Sequence, residues 1–100
     1  MEPNTDQYLI DKTLNGDTRA FGELVERYQA FVFTIALRIV KVREEAEEVA
    51  QDAFIKAFQS ITSYRGESKF SSWLYSIAYR KALDAIRKNK KKSREVNNLY

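Results

Sequence analysis

The sequence predicts an all-α protein, a compact bundle of four helices. Two observations support this fold class. Apolar residues recur at three- and four-residue spacing through most of the 100 residues, and no segment shows sustained apolar–polar alternation. The single proline is Pro3, so no proline interrupts the chain beyond its first residues. A chain of this length forms one small domain.

Turn and capping signals divide the chain into its helices. Asn15-Gly16-Asp17 predicts a turn with Asp17 as the next N-cap, and residues 64–68 predict a loop with Ser68 as N-cap. A third break, near residues 41–44, is indicated only by a change in the apolar pattern. The predicted helices cover residues 6–14, 18–41, 44–62 and 69–91.

Each helix has an apolar face that predicts the core. The first contributes Tyr8, Leu9, Ile10 and Leu14. The second has a long stripe that comprises Phe21, Leu24, Val25, Tyr28, Phe31, Val32, Ile35 and Ile39. Phe33, Leu37 and Val40 add a second stripe, so this helix should be central. The third contributes Val49, Ala53, Phe54, Ala57, Phe58 and Ile61, and the fourth Phe70, Trp73, Leu74, Ile77, Ala78, Ala82, Ala85 and Ile86.

The composition argues against several classes of function. The chain has no cysteine and no histidine, and its 3 glycines do not form a phosphate-binding loop. We therefore predict no catalytic residues, no metal and no cofactor. The N-terminus lacks a signal-peptide pattern, and the most apolar stretch, residues 31–42, is too short to cross a bilayer. We expect a cytoplasmic protein without membrane insertion.

The ends of the chain differ from its middle. We expect residues 1–5 to be mobile and residues 6–92 to form the helical domain. Residues 93–100 are polar and lack an apolar stripe, so we expect them to begin a linker to a further, C-terminal domain.

Charge is distributed unevenly along the chain, whose net charge is only +3. Residues 1–40 and 41–63 each have a net charge of −2, whereas residues 64–100 carry ten basic and three acidic side chains. The basic portion favours a polyanionic partner.

The predicted third helix has an acidic outer face that contains Glu44, Glu45, Glu47, Glu48, Gln51 and Asp52. Glutamates in a first helical turn are favoured by the helix dipole, so a solvated face is one interpretation. The other is a docking site for a basic partner, because four glutamates in five residues repel one another.

Aromatic and basic residues alternate in the loop and the fourth helix. The aromatic residues are Tyr64, Phe70, Trp73, Tyr75 and Tyr79, and the cations include Arg65, Lys69, Arg80, Lys81, Arg87 and Lys88. Rings that stack on bases, next to cations that follow phosphates, are typical of single-strand binding. Alternatively, Phe70 and Trp73 belong to the core and the basic run 87–94 is a solvated tail.

Four stretches, in this order and spacing, resemble region 2 of a bacterial sigma factor of the extracytoplasmic-function (ECF) type. Residues 15–28 resemble the entry into its second helix, and residues 47–57 resemble its acidic motif. Residues 64–70 resemble its specificity loop, and residues 73–78 resemble its Trp-Leu-x-x-Ile-Ala core. The resemblance extends from about Leu9 to Lys92 and implies a transcription-initiation factor with no enzymatic activity.

The resemblance implies a role for each face. The acidic face, with Glu44, Glu47, Glu48, Gln51 and Asp52, would bind the clamp helices of the largest subunit of core RNA polymerase. The loop and the fourth helix would bind the non-template single strand of the minus-ten promoter element and hold a flipped base. The implied DNA-binding residues are Tyr64, Arg65, Lys69, Phe70, Ser71, Ser72, Tyr75, Ser76, Tyr79, Arg80, Asp84, Arg87 and Lys88. An anti-sigma factor is a third candidate partner.

The sequence departs from family patterns at two places in the fourth helix. Primary sigma factors have a tryptophan pair where this chain has Ser76 and Ile77, which fits the ECF type and implies stricter promoter melting. Several ECF relatives have asparagine at the position of Arg80, so their base preference does not transfer. The alternative function is a helical protein-interaction adaptor with a solvated basic tail.

Overall fold

Residues 5–98 fold into four α-helices. The computed structural model describes the backbone of residues 5–98 and the side chains of residues 5–90. The helices are α1 (Asp6–Leu14), α2 (Thr18–Val40), α3 (Arg43–Ser60) and α4 (Phe70–Asn98), and a single 3₁₀ turn (Ile61–Ser63) follows α3. No strand is present between residues 5 and 98, which confirms the all-α prediction. Over the same part of the chain, no helix is both long enough and apolar enough to span a bilayer.

Local chemistry determines where the first helices begin and end. Thr5 caps α1 by accepting a hydrogen bond from the backbone N–H of Tyr8 at 3.1 Å. Gly16 takes a left-handed conformation (φ 99°) after α1, and Asp17 caps α2 as predicted by accepting from the N–H of Arg19. At the third break Lys41 takes a left-handed conformation (φ 64°) without glycine, which ends α2 one residue earlier than predicted.

Three further predicted boundaries need correction, and α3 begins at Arg43, one residue earlier than predicted. Helix α4 begins at Phe70, so Lys69 rather than Ser68 precedes it, and the Ser68 carbonyl instead accepts a hydrogen bond from the Tyr64 hydroxyl. Helix α3 ends at Ser60 because the chain tightens into the 3₁₀ turn. Helix α4 continues to Asn98 rather than 91.

The structure describes only part of the two end segments for which predictions were made. Thr5 is held by its capping bond, and the rest of the predicted mobile segment, residues 1–4, lies outside the described residues. Part of the predicted linker is helical, but its side chains, and residues 99–100 altogether, also lie outside them.

Helix α2 is central and contacts the other three helices. The largest fully buried side chains are Leu9, Ile10, Leu24, Val32 and Leu74. The facing sides of α3 and α4 are rich in alanine, with Ala46, Ala53, Ala57, Ala78 and Ala82 all buried. Such small side chains let helices approach closely, so the outer faces of α3 and α4 lie beside each other.

Three residues predicted on inner faces are exposed instead. Leu14 is 45%, Phe31 39% and Phe58 42% exposed. Three-and-four spacing marks one side of a helix, but the apolar stripe is wider than the neighbouring helices can cover. Leu14 is also the last residue of α1, where the bundle no longer encloses it.

Candidate functional site

The exposed side of α4 carries an aromatic platform. Tyr75 and Tyr79 lie one turn apart and are 46% and 42% exposed. Their rings stack with centroids 6.1 Å apart and planes inclined by 13°. Both rings are thus available to a ligand. A nucleotide base can stack on such a surface whatever its identity.

A polar row runs along α4 beside this platform. Its members Ser72, Ser76, Arg80 and Arg87 are exposed and lie on one side of the helix by their spacing. Arg80 and Arg87 border a shallow cavity of about 320 Å³ together with Leu83 and Asp84. Asp84 lies 3.8 Å from the Arg87 guanidinium. Because both partners are exposed, this ion pair contributes little to stability and leaves Arg87 available to phosphate.

The loop before α4 encloses a small cavity. Gly66 takes a left-handed conformation (φ 75°) at its tip, and the hydrogen bond from Tyr64 to Ser68 joins its two ends. The cavity holds about 150 Å³. It is lined by Ser63, Tyr64, Arg65, Glu67, Ser68 and Trp73. A ring bound here would meet two aromatic walls, and the Glu67 carboxylate could accept a hydrogen bond from a base amino group.

Phe70 is the one predicted DNA-binding residue that the structure buries. It is 4% exposed and packs between the loop and the core, with ring centroids 5.8 Å from Tyr64 and 5.7 Å from Trp73. Such burial leaves no face of the ring for a base. Phe70 therefore supports the cavity from beneath.

The other predicted DNA-binding residues lie at the surface. Tyr64 and Ser71 are half-buried. The remaining ones are exposed: Arg65, Lys69, Ser72, Tyr75, Ser76, Tyr79, Arg80, Asp84, Arg87 and Lys88. The predicted DNA-binding residues did not include Ser63, Glu67, Ser68 and Trp73, although Trp73 was named as a candidate stacking ring and Glu67 and Ser68 lie in the predicted specificity loop. Their position within or beside the loop was the available signal, but only the folded loop shows which side chains enclose the space.

The predicted acidic face on α3 lies at the surface, although Glu45 is half-buried. Glu44, Glu47, Glu48, Gln51 and Asp52 all project into solvent. Glu47 pairs with Arg43 at 3.5 Å, and the Arg43 guanidinium also lies over the Phe33 ring, 5.5 Å from its centroid.

An apolar patch, which sequence reasoning did not identify, continues this face toward the end of α3. Ile55 is 56% exposed and follows Gln51 by one turn, and Phe58 follows Ile55. A cavity of about 280 Å³ lies here, lined by Phe21, Phe54, Ile55, Phe58 and Gln59. Exposed apolar side chains beside charged ones are typical of a protein-binding surface.

The acidic and basic surfaces adjoin. A groove of about 440 Å³ separates α3 from α4. Glu45, Glu48 and Asp52 line one wall, and Lys81 and Lys88 line the other. The reason is the alanine-rich packing described above, which brings the two outer faces side by side.

Comparisons with known proteins agree on one family. A family model described as sigma-70 region 2 matches residues 24–92. The RNA polymerase sigma-H factor of Pseudomonas aeruginosa is 45% identical over 73 residues, which cover 73% of this chain and 38% of that protein. The ECF RNA polymerase sigma-E factor of Haemophilus influenzae is 48% identical over 77 residues, which cover 77% of this chain and 40% of that protein. The chain thus spans about two fifths of the length of these relatives.

A solved structure has the same fold. It is an NMR structure of an engineered region 2 of sigmaE in complex with GTAAAA, and it matches with a TM-score of 0.85 and 37% identity. The match covers 92% of this chain and 96% of that one.

Proposed function

Because this chain belongs to the sigma-70 region 2 family, we propose that it is a promoter-recognition module that directs transcription initiation. It binds core RNA polymerase with one surface and the single-stranded non-template minus-ten element with another. The polymerase performs the chemistry, so the module itself is not an enzyme. We assign this role to residues 6–92.

The loop cavity is the observation that carries the DNA-binding part of the proposal. It offers two aromatic side chains and a carboxylate at the surface. A flipped base fits this chemistry, because it can lie against the Tyr64 and Trp73 rings, which adjoin each other with centroids 5.3 Å apart, while its edge meets Glu67. The related region 2 that was solved in complex with GTAAAA supports the same ligand class.

The predicted basic residues position the strand rather than select its sequence. Arg65 and Lys69 flank the loop cavity, and Arg80, Arg87 and Lys88 continue along α4. Contacts from cations to phosphates fix the register of a nucleic acid but do not distinguish bases. Sequence selectivity therefore belongs to the loop cavity and to the two serines of the polar row, Ser72 and Ser76.

The acidic face of α3 is the proposed surface for the largest polymerase subunit. Its residues Glu44, Glu47, Glu48, Gln51 and Asp52 are exposed and favour a basic helical partner. Ile55 and Phe58 add apolar area at the end of the same row. Charge would steer the encounter, and the apolar residues would supply much of the affinity.

Two finer proposals accompany this function. An anti-sigma factor is a further partner, since any protein that covered one of these faces would keep the module from polymerase or promoter. We also assign the activity to the cytoplasm, where bacterial polymerase and promoter DNA meet.

Fluorescence anisotropy of a labelled oligonucleotide tests the DNA-binding role. We expect GTAAAA to bind more tightly than a scrambled strand of the same composition, because the cavity selects a base. If three or four phosphates are contacted, log K should fall with log salt concentration at a slope of about −2 to −3. Equal affinity for both strands would refute sequence readout, and an affinity insensitive to salt would refute the phosphate contacts.

A further inference from the structure

Tyr28, on α2, is hydrogen-bonded to the start of α1. Its hydroxyl donates a hydrogen bond to one carboxylate oxygen of Asp6, the first residue of α1. The neighbouring Arg27 donates from Nη1 to the other oxygen at 2.7 Å. The carboxylate thus has a donor on each oxygen. Two consecutive side chains of α2 therefore hold α1, and the hydroxyl bond fixes the direction of the Tyr28 ring.

The same ring also supports the loop cavity. Tyr28 packs against Phe70 with ring centroids 5.6 Å apart. Phe70 in turn contacts Tyr64 and Trp73, whose own centroids are 5.3 Å apart. Those two rings form the aromatic walls of the cavity. Phe70 is therefore held between Tyr28 on the core side and both walls on the other.

These contacts make the shape of the cavity depend on a residue outside it. Protein interiors are close-packed, so removal of the Tyr28 ring lets Phe70 shift, and both walls follow. Tyr28 is not among the residues that line the cavity. Its ring contacts Phe70, which in turn contacts both aromatic residues that line the cavity.

We propose that Tyr28 is a positioning residue for base recognition, which holds Phe70, Tyr64 and Trp73 in the arrangement that admits a base and couples this arrangement to α1. The proposal rests on the DNA-binding function proposed above. It also makes a claim about the free protein, namely that Tyr28 determines how Trp73 is packed.

Two readouts test the proposal on the same variants. Trp73 is the only tryptophan, so quenching of its fluorescence by acrylamide reports its environment without DNA. The ratio of affinities for GTAAAA and its scrambled strand reports base selection. Tyr28→Leu removes the ring, and Tyr28→Phe keeps the ring but releases it from Asp6. Tyr8→Leu is the matched control, because Tyr8 is also half-buried against the core but lines the cleft between α1 and α2.

We expect Tyr28→Leu to increase the quenching of Trp73 and to lower the affinity ratio about fivefold or more, the scale of a lost aromatic contact. Affinity for the scrambled strand should stay unchanged, because the phosphate contacts remain. Tyr28→Phe should lie between the wild type and Tyr28→Leu in both readouts. Tyr8→Leu should match the wild type in both, even where it lowers thermal stability.

The outcomes separate this proposal from the function on which it rests. The positioning role would be overturned if Tyr28→Leu showed the same Trp73 quenching and the same affinity ratio as the wild type. It would also be overturned if Tyr8→Leu changed both readouts as much as Tyr28→Leu does. Should Tyr28→Leu fail to fold, wild-type values in Tyr28→Phe would overturn it. If Trp73 quenching increases in Tyr28→Leu but the wild type shows no preference for GTAAAA, the positioning of Trp73 by Tyr28 stands and the proposed DNA readout fails.

Discussion

At the scale of single residues, burial determines which side chains can act at the surface. Phe70 was predicted both in the core and among the DNA-binding residues, and it is buried, whereas Phe31 and Phe58 were predicted inside and are exposed. The type and spacing of a residue show that it lies on an apolar stripe. They do not show how much of that stripe a neighbouring helix covers. This is why the sequence identified the aromatic cluster but not the role of each ring.

Tyr28 gives a pH-dependent prediction. Burial, and then the hydrogen bond to Asp6, raise the pKa of Tyr28 from 10.0 to about 12. The folded state therefore holds this proton more tightly than the unfolded chain. Its stabilising effect is fully present below pH 10 and is lost as the pH rises toward 12. Tyr28→Phe lacks both the bond and the titration.

Urea unfolding of the wild type and Tyr28→Phe between pH 7 and pH 11.5 checks this prediction. At neutral pH we expect the variant to be less stable by about 1–2 kcal/mol, because it loses one hydrogen bond to a charged group. The difference in the free energy of unfolding should stay constant up to about pH 9.5 and then shrink. A difference that is constant over the whole range would contradict the assignment.

At the scale of helices, the sequence was most informative where side chains act locally. The Asp17 cap, the Gly16 turn and the first helix, Asp6–Leu14, agree with the prediction because short-range contacts determine them. The end of α2 was harder to place, because Lys41 adopts a left-handed conformation that its residue type does not favour. The loop cavity and the α3–α4 groove depend on how helices pack against one another, which spacing along one helix cannot show.

Helix α4 provides a direct test against the adaptor alternative. Arg80→Glu combined with Arg87→Glu places two negative charges where phosphates are expected to lie. We expect affinity for both GTAAAA and its scrambled strand to fall at least tenfold, because two phosphate contacts become repulsive. The salt slope should become shallower. The change is measured by anisotropy at two salt concentrations.

The matched control is Lys12→Glu with Arg19→Glu, the same change in charge on exposed residues of α1 and α2. It should retain most of the wild-type affinity, apart from the weaker long-range attraction that any loss of positive charge causes. Wild-type binding by the α4 variant would contradict the phosphate contacts and favour the adaptor with a solvated basic tail.

At the scale of the whole molecule, the two proposed binding surfaces share one boundary. The acidic face of α3 and the basic side chains of α4 meet at the groove, where Glu48 and Asp52 lie on one wall and Lys81 and Lys88 on the other. The uneven charge of the sequence predicted two surfaces, but only the packing of α3 on α4 shows that they are neighbours. A strand bound to α4 would therefore lie close to a polymerase subunit bound to α3, as expected of a module that presents DNA to the enzyme.

Capture of core RNA polymerase on immobilised GTAAAA, with this chain as the bridge, tests the two-surface account most directly. Glu48→Lys with Asp52→Lys reverses the acidic face, and Glu23→Lys with Glu26→Lys makes the same change on exposed residues of α2. We predict that the wild type and the α2 variant recover polymerase on GTAAAA but not on its scrambled strand. The α3 variant should bind the immobilised strand but recover no polymerase on it. Equal recovery of polymerase by the α3 variant, or on the scrambled strand, would contradict the account.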